Sequence, residues 1–387
     1  MKSNWKKLPF DEVIEDVSGG SKKIPQSSYL KSGCVPIVDQ GKLLIAGFTD
    51  DPDSVCKSAP PVIVFGDHTM CFKYVDFPFA MGADGIKVLR PKIEADAKYL
   101  FYYLRHLKLP DTGYDRHFKY LKRSQIALPP LVEQRRIAAI LDTADALRVK
   151  RRQLITKYDT LLRAVFLEMF GDPVKNPKGW PLITISSFVE AFQGGKSLLS
   201  DSNESPQFIY RVLKVSAVTE MRYKPEESKP VPSDYVPPNE HIVRSGDLLF
   251  SRANTTELVG AVAYVWNTPE NILLPDKLWR FVWSKPQSAS PLFVWSLFQI
   301  PSFRYELGKR ATGTSGSMKN ISQEKLLAMK VPFPELKLQQ QFASIVESVQ
   351  RVQKAHAESN RIMDNLFYSI QQRAFTGKLF AEKAAAR

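Results

Sequence analysis

The stretch Leu128-Pro129-Pro130-Leu131-Val132-Glu133-Gln134-Arg135-Arg136-Ile137-Ala138 returns 205 residues later as Phe333-Pro334-Glu335-Leu336-Lys337-Leu338-Gln339-Gln340-Gln341-Phe342-Ala343. Each copy continues as an amphipathic run, the first to Phe170-Gly171-Asp172 and the second to Phe375-Thr376-Gly377. The alignment needs no gap, with Ile140 on Ile345, Leu161 on Leu366 and Phe170 on Phe375. Upstream, Trp5 falls on Trp180 and Gly19-Gly20 on Gly194-Gly195, at an offset of 175. The chain therefore reads as domain, long helix, domain, long helix. Two copies of one unit in one polypeptide imply approximate two-fold symmetry, which suits a partner that also has two halves.

Charge follows the same repeat. There are 19 basic against 15 acidic side chains in residues 1–128, 8 against 5 in 131–170, 19 against 15 in 171–333 and 8 against 5 in 334–387. Each repeat carries half of the net +14. An even spread over two folded units points to an extended polyanion that touches both, and nucleic acid is the leading candidate. Cys34, Cys56 and Cys71 are odd in number and lack metal-ligand spacing, so they read as reduced thiols. Met1-Lys2-Ser3-Asn4-Trp5 does not resemble a signal segment and no apolar run reaches spanning length, so a cytoplasmic protein with no membrane contact is expected.

Pro129-Pro130 suits the start of a helix, because proline lacks a donor that the first turn leaves unpaired anyway. Gly171 and Gly377 suit its end. Forty residues at about 1.5 Å each make a rod of about 60 Å, too long to bury its stripe on one small domain. With Ile137 at a, the heptad places Ile137 and Arg151 at a and Ile140, Leu147, Leu154 and Leu161 at d. The second rod then places Phe342 and His356 at a and Ile345, Val352 and Leu366 at d. These eleven side chains are expected to form the core of a helix pair. Arg151 and His356, the same a position at the midpoints of the two rods, are expected to share one central layer.

Residues 1–128 and 172–333 each read as a small α/β (α+β) domain. Their clearest strands are Val62–Phe65, Ile86–Leu89, Asp247–Phe250, Ala261–Trp266 and Leu278–Trp283, and each has one short aromatic helix, near Tyr99–Leu107 and Leu292–Phe298. Residues 129–171 and 334–380 are the long helices and 381–387 a tail.

The sequence shows no convincing active site. Gly194-Gly195-Lys196-Ser197 lacks the leading glycine of a phosphate loop, where Glu190 stands instead. Asp53, Asp96 and Lys98 only superficially match a nuclease pattern, and Asp96 is better read as a helix cap. The five histidines show no zinc spacing. No catalytic residue, metal ligand or cofactor is expected. What remains is basic and polar loop chemistry suited to phosphate and base edges. Lys22, Lys23 and Lys196 follow glycine turns. Tyr114, Arg116, His117, Lys119, Tyr120 and Lys122 precede the first long helix. Ser251, Arg252 and Asn254 follow a strand, and Thr314, Ser315, Ser317, Lys319 and Asn320 precede the second long helix. All are expected at a DNA interface.

Taken with Gly66-Asp67-His68, Gly82–Lys87 and Gly246–Arg252, the two Pro-Pro/Pro-Glu stretches resemble the specificity subunits of type I restriction–modification systems. The resemblance spans essentially the whole chain. It implies two target-recognition domains that each read half of a bipartite site in double-stranded DNA, and two spacer helices packed as an antiparallel coiled coil. It also implies two adenine-methyltransferase (modification) subunits as partners and, through them, restriction/translocase subunits that hold the catalysis. The alternative is a scaffold that binds nucleic acid without sequence preference; a metal-dependent nuclease comes third.

Overall fold

A computed structural model of the chain describes residues 5–83, 85–110, 113, 115–198, 210–232, 234–313 and 319–380. The chain forms two compact units, Met1–Gln153 with Ala357–Arg387, and Leu154–His356. The division cuts each long helix near its middle, so each unit holds one globular domain and half of both helices.

The helices run over Leu131–Phe170 and Leu336–Phe375, 40 residues each. They stop where expected, with Gly171 at φ 76° and Gly377 at φ 70°, left-handed geometry that glycine adopts without a Cβ clash. Inside the first unit, Arg148 Nε donates to Asp364 Oδ1 at 2.6 Å and Arg151 is bonded to Ser359. Inside the second, the Tyr158 hydroxyl is 2.8 Å from His356 Nδ1, and the rings of Phe166 and Phe170 lie 5.5 and 5.4 Å from Phe342. Numbers rise on one helix as they fall on the other, so in each unit the two segments run in opposite directions. Arg151 and His356 fall in different units, each with its own partner, Ser359 and Tyr158.

The buried edge of the helices also differs from the heptad reading. Gln134, Ile137, Leu141, Arg148, Leu162, Phe166 and Phe170 are buried, and so are their repeat equivalents Gln339, Phe342, Val346, Gln353, Phe367, Gln371 and Phe375. Ile137 and Phe342 are buried, each within the core of a domain. Leu147, Leu154, Leu161, Ile345, Val352 and Leu366 are exposed, and Ile140 is half-buried. The reason is competition for the helix surface. Ile137, Leu141, Phe367 and Phe375 join the core of the first domain and Leu162, Phe166, Phe170, Phe342 and Val346 that of the second, so each helix segment buries a face against a domain as well as against the other helix.

The two domains share one plan. In the first, an antiparallel sheet has the order Ile14–Asp16, Ile86–Pro91, Val62–Gly66, Phe72–Val75. In the second, the order is Val189–Gly194, Leu278–Trp283, Leu248–Ser251, Val262–Tyr264. The central strands Val62–Gly66 and Leu248–Ser251 are buried along their whole length, consistent with a sheet covered on both faces. A helix follows each sheet, Ala97–His106 or Pro291–Leu297, capped by Asp96 or Ser290 accepting from the amide three residues on. The first and last strands of each domain pair antiparallel, Lys6–Pro9 with Gln125–Leu128 and Leu182–Thr184 with Lys330–Pro332. The chain therefore leaves each domain beside the point where it came in, directly into a long helix.

Candidate nucleic-acid interface

In the first domain the basic run is held from behind. Strand Val62–Gly66 is followed by Asp67, 5% exposed, whose carbonyl accepts from the His117 amide at 2.9 Å. The Asp67 carboxylate accepts from the Phe118 amide at 2.8 Å, fastening the start of the short helix Phe118–Lys122. Phe118 and Leu121 point inward and are buried, while Lys119 and Lys122 lie outward. His117 is fully buried, with its ring Nδ1 on the Asp67 carbonyl at 3.0 Å. It anchors the loop and is corrected from a surface contact to a core group. Sequence reasoning missed Asp67 as the anchor, although Gly66-Asp67-His68 had stood out as a motif.

Arg116 is exposed, and its guanidinium has no partner among the described residues. Lys119 is paired with Asp115 at 2.8 Å, which also raises its pKa, and the half-buried Tyr120 bonds the same carboxylate. Lys122 lies 3.8 Å from Asp11 and over the Phe118 ring. Lys22 is bonded to Asp51 at 2.5 Å; the same bond raises the lysine pKa and lowers that of the carboxyl. Lys23 is exposed on a strand pairing with Met81–Gly82. Tyr114 lies outside the described residues.

In the second domain two segments far apart in sequence meet. Ala253–Asn254 pairs antiparallel with Lys319–Asn320, and the Ile321 amide donates to the Arg252 carbonyl at 3.0 Å. Arg252, Asn254, Lys319 and Asn320 are thereby gathered in one patch. Arg252 is braced within it: Nε donates to the Asp276 carbonyl at 2.9 Å, Nη1 lies 3.4 Å from Asn320 Oδ1, and the guanidinium lies 5.5 Å from the Trp279 ring. Lys319 Nζ donates to the Gly313 carbonyl at 2.7 Å. Asn254 Oδ1 accepts from Thr255 and Nδ2 is buried without a partner among the described residues. Ser251 is fully buried on the central strand and is corrected to a core position. Thr314, Ser315 and Ser317 lie outside the described residues. Lys196 is exposed and unpaired among them. The preceding Gly195 serves packing, since a Cβ there would sit 1.8 Å from the Leu274 carbonyl oxygen.

Among the described residues no group of three or more His, Cys, Asp or Glu could hold a metal ion, and no helix is long and apolar enough to cross a membrane. The two patches offer cations, side-chain amides and backbone groups.

Residues 2–157 match the type I restriction modification DNA specificity domain. The chain is 29% identical over 182 residues to the type I restriction enzyme EcoEI specificity subunit of Escherichia coli, a match covering 46% of this chain and 30% of that one. It is 28% identical over 281 residues to the EcoKI specificity subunit of Escherichia coli K12, covering 66% and 58%. The matches thus span between about a third and three fifths of these curated relatives. A crystal structure of a type I restriction–modification S subunit from M. genitalium superposes with a TM-score of 0.55 at 16% identity, over 96% of both chains, a likeness of fold. Motif, domain match and fold agree: residues 2–157 match the type I DNA specificity domain, and the chain is similar to type I restriction–modification specificity subunits.

Proposed function

We propose that this chain reads a bipartite DNA target and assembles methyltransferase and restriction/translocase subunits on it, without catalysis of its own. The observation that carries the reading is the duplicated plan. Two domains of the same sheet order each carry basic side chains at or just before a short helix that precedes the terminal strand, and each is joined to one half of a helix pair. On this reading the helices form an antiparallel coiled coil with a pseudo-two-fold axis, and residues 1–128 and 172–333 each contact one half-site. Arg116, Lys119, Tyr120 and Lys122 serve the first, with Lys22, Lys23 and Tyr114 beside them. Arg252, Asn254, Lys319, Asn320 and Lys196 serve the second, with Thr314, Ser315 and Ser317. Lysines already paired to carboxylates exchange that partner for phosphate, and released counterions drive the exchange.

The d-face left open on the helices supports partner recruitment. In the first unit Ile140, Leu147, Met363, Leu366, Phe367 and Ile370 line a groove of about 470 Å³. The repeat places Ile345, Val352 and Leu161 at equivalent positions of the second unit, all exposed. Contiguous apolar exposure marks a protein contact, and exposed apolar side chains at equivalent positions of both units suit two modification subunits. Competition between the target duplex and random duplex at moderate salt tests the reading. Specific recognition gives a preference of about a thousandfold or more, whereas equal competition leaves only the sequence-independent scaffold.

A further inference from the structure

We infer that Gln134 and Gln339 are the joints that set the angle between each recognition domain and its helix, and so determine which gap between half-sites is accepted. The inference rests on the bipartite reading above. Each glutamine is buried, at 3% and 0% exposure, in the first turn of a long helix. Gln134 Oε1 accepts from the Asp96 backbone amide at 2.9 Å, and Nε2 donates to the Pro129 carbonyl at 2.8 Å. Gln339 Oε1 accepts from the Ser290 amide at 3.0 Å, and Nε2 donates to the Pro334 carbonyl at 2.8 Å. Asp96 and Ser290 are the capping residues of the helix that follows each sheet.

One side chain therefore ties three backbones: the link between the terminal strand and the long helix, the long helix that carries the glutamine, and the cap of the domain's own helix. The cap and the carbonyl need an acceptor and a donor at one point, which an amide supplies and neither leucine nor a carboxylate does. Packing alone would let domain and rod slide by tenths of an ångström, whereas paired hydrogen bonds fix direction. That the device occurs twice, at the same offset as the rods, in domains whose loops differ, separates it from readout of any particular base.

The test uses the full chain with its modification subunits and a duplex panel carrying the target defined by methylation mapping, with the gap native, one base pair shorter and one longer. Gln134→Leu and Gln339→Leu, each alone, should retain binding to duplexes bearing one half-site and lose about tenfold of the discrimination between native and altered gaps. Gln134→Glu keeps the acceptor for the Asp96 amide and removes the donor to Pro129, so it covers the case in which the leucine variant fails to fold. It too should relax the gap, and it should regain selectivity in acid as the carboxyl protonates and can donate again. Wild-type gap discrimination in all folded variants, with only a lower melting temperature, overturns the inference and leaves the glutamines as stability elements. A wild-type chain that itself ignores the gap overturns the bipartite reading instead.

Discussion

Arg148 is 7% exposed, and its guanidinium bridges Asp145 at 2.8 Å and Asp364 at 2.6 Å while lying 4.2 Å from the Phe367 ring. A charge with this little solvent is tolerable because each partner is an acceptor and the ring face is attractive. At Asp364 burial pushes the carboxyl pKa up, but the hydrogen bonds from Arg148 and Arg152 outweigh it and hold the value below the ordinary 3.8. A carboxyl whose folded pKa is depressed contributes stability above the unfolded value and loses it as pH falls through the folded one. Asp364→Asn should therefore cost about 1 kcal/mol near neutrality, discounted for partial exposure. In urea titrations the gap to wild type should close below pH 3.8; a gap that stays constant to strong acid excludes the ion pair as its cause. On the surface, Arg116 is the clean test of DNA contact because its side chain has no partner among the described residues. Arg116→Ala should leave the melting temperature unchanged and cost about 1–3 kcal/mol of target affinity if it reads a base, or flatten the salt slope by about one if it holds a phosphate. Unchanged affinity and slope together remove it from the interface. His117 shows what a residue-type reading cannot see. Within Arg116–Lys122 it looks like one more basic contact, yet its place at the start of a short helix turns the ring onto the Asp67 carbonyl.

At the scale of elements, the long helices, their proline starts and glycine stops, the main strands of both domains and the two aromatic helices were legible, because each carries a local signal of periodicity or punctuation. The seam of the helix pair was not. A heptad assigned on the assumption of a single partner puts Leu147, Leu154 and Leu161 inside, but a helix flanked by a domain on one side divides its apolar residues among two neighbours and, here, a third face. The repeat itself held the better clue: Gln134 and Gln339, polar and identical at equivalent positions, mark the inner edge that both copies share. Likewise the patch of Arg252, Asn254 and Lys319 depends on a strand pair across more than sixty residues, for which no local pattern exists. The exposed d-face yields a prediction of its own. Leu147→Ser with Leu366→Ser, at 48% and 55% exposure, should change unfolding free energy by no more than about 1 kcal/mol. It should sharply reduce co-purification with the modification subunit while leaving DNA binding by this chain alone intact. Undiminished assembly would assign the groove no part in recruitment.

At the scale of the molecule, duplication makes the two readings separable by experiment. Each domain closes on itself through its first and last strands, Lys6–Pro9 with Gln125–Leu128 and Leu182–Thr184 with Lys330–Pro332, so a domain can be exchanged at that strand pair without cutting a helix. Of the two backbone partners of Gln134, the Pro129 carbonyl stays with the chain and only the cap amide, here that of Asp96, comes from the new domain. Replacing residues 1–128 by the corresponding domain of a relative should therefore give a chain that assembles normally, in a complex whose modification subunits methylate a new sequence in one half-site only. The other half-site and the gap should stay as they were, because residues 172–333 and both long helices are untouched. Lengthening both helices by one turn, at about 5.4 Å each, should do the converse, changing the unread gap and neither half-site. Methylome sequencing of hosts carrying each chimera reads both outcomes at once. If exchanging the first domain altered both half-sites, recognition would be shared across the domains, and the repeat would be a means of folding rather than of reading.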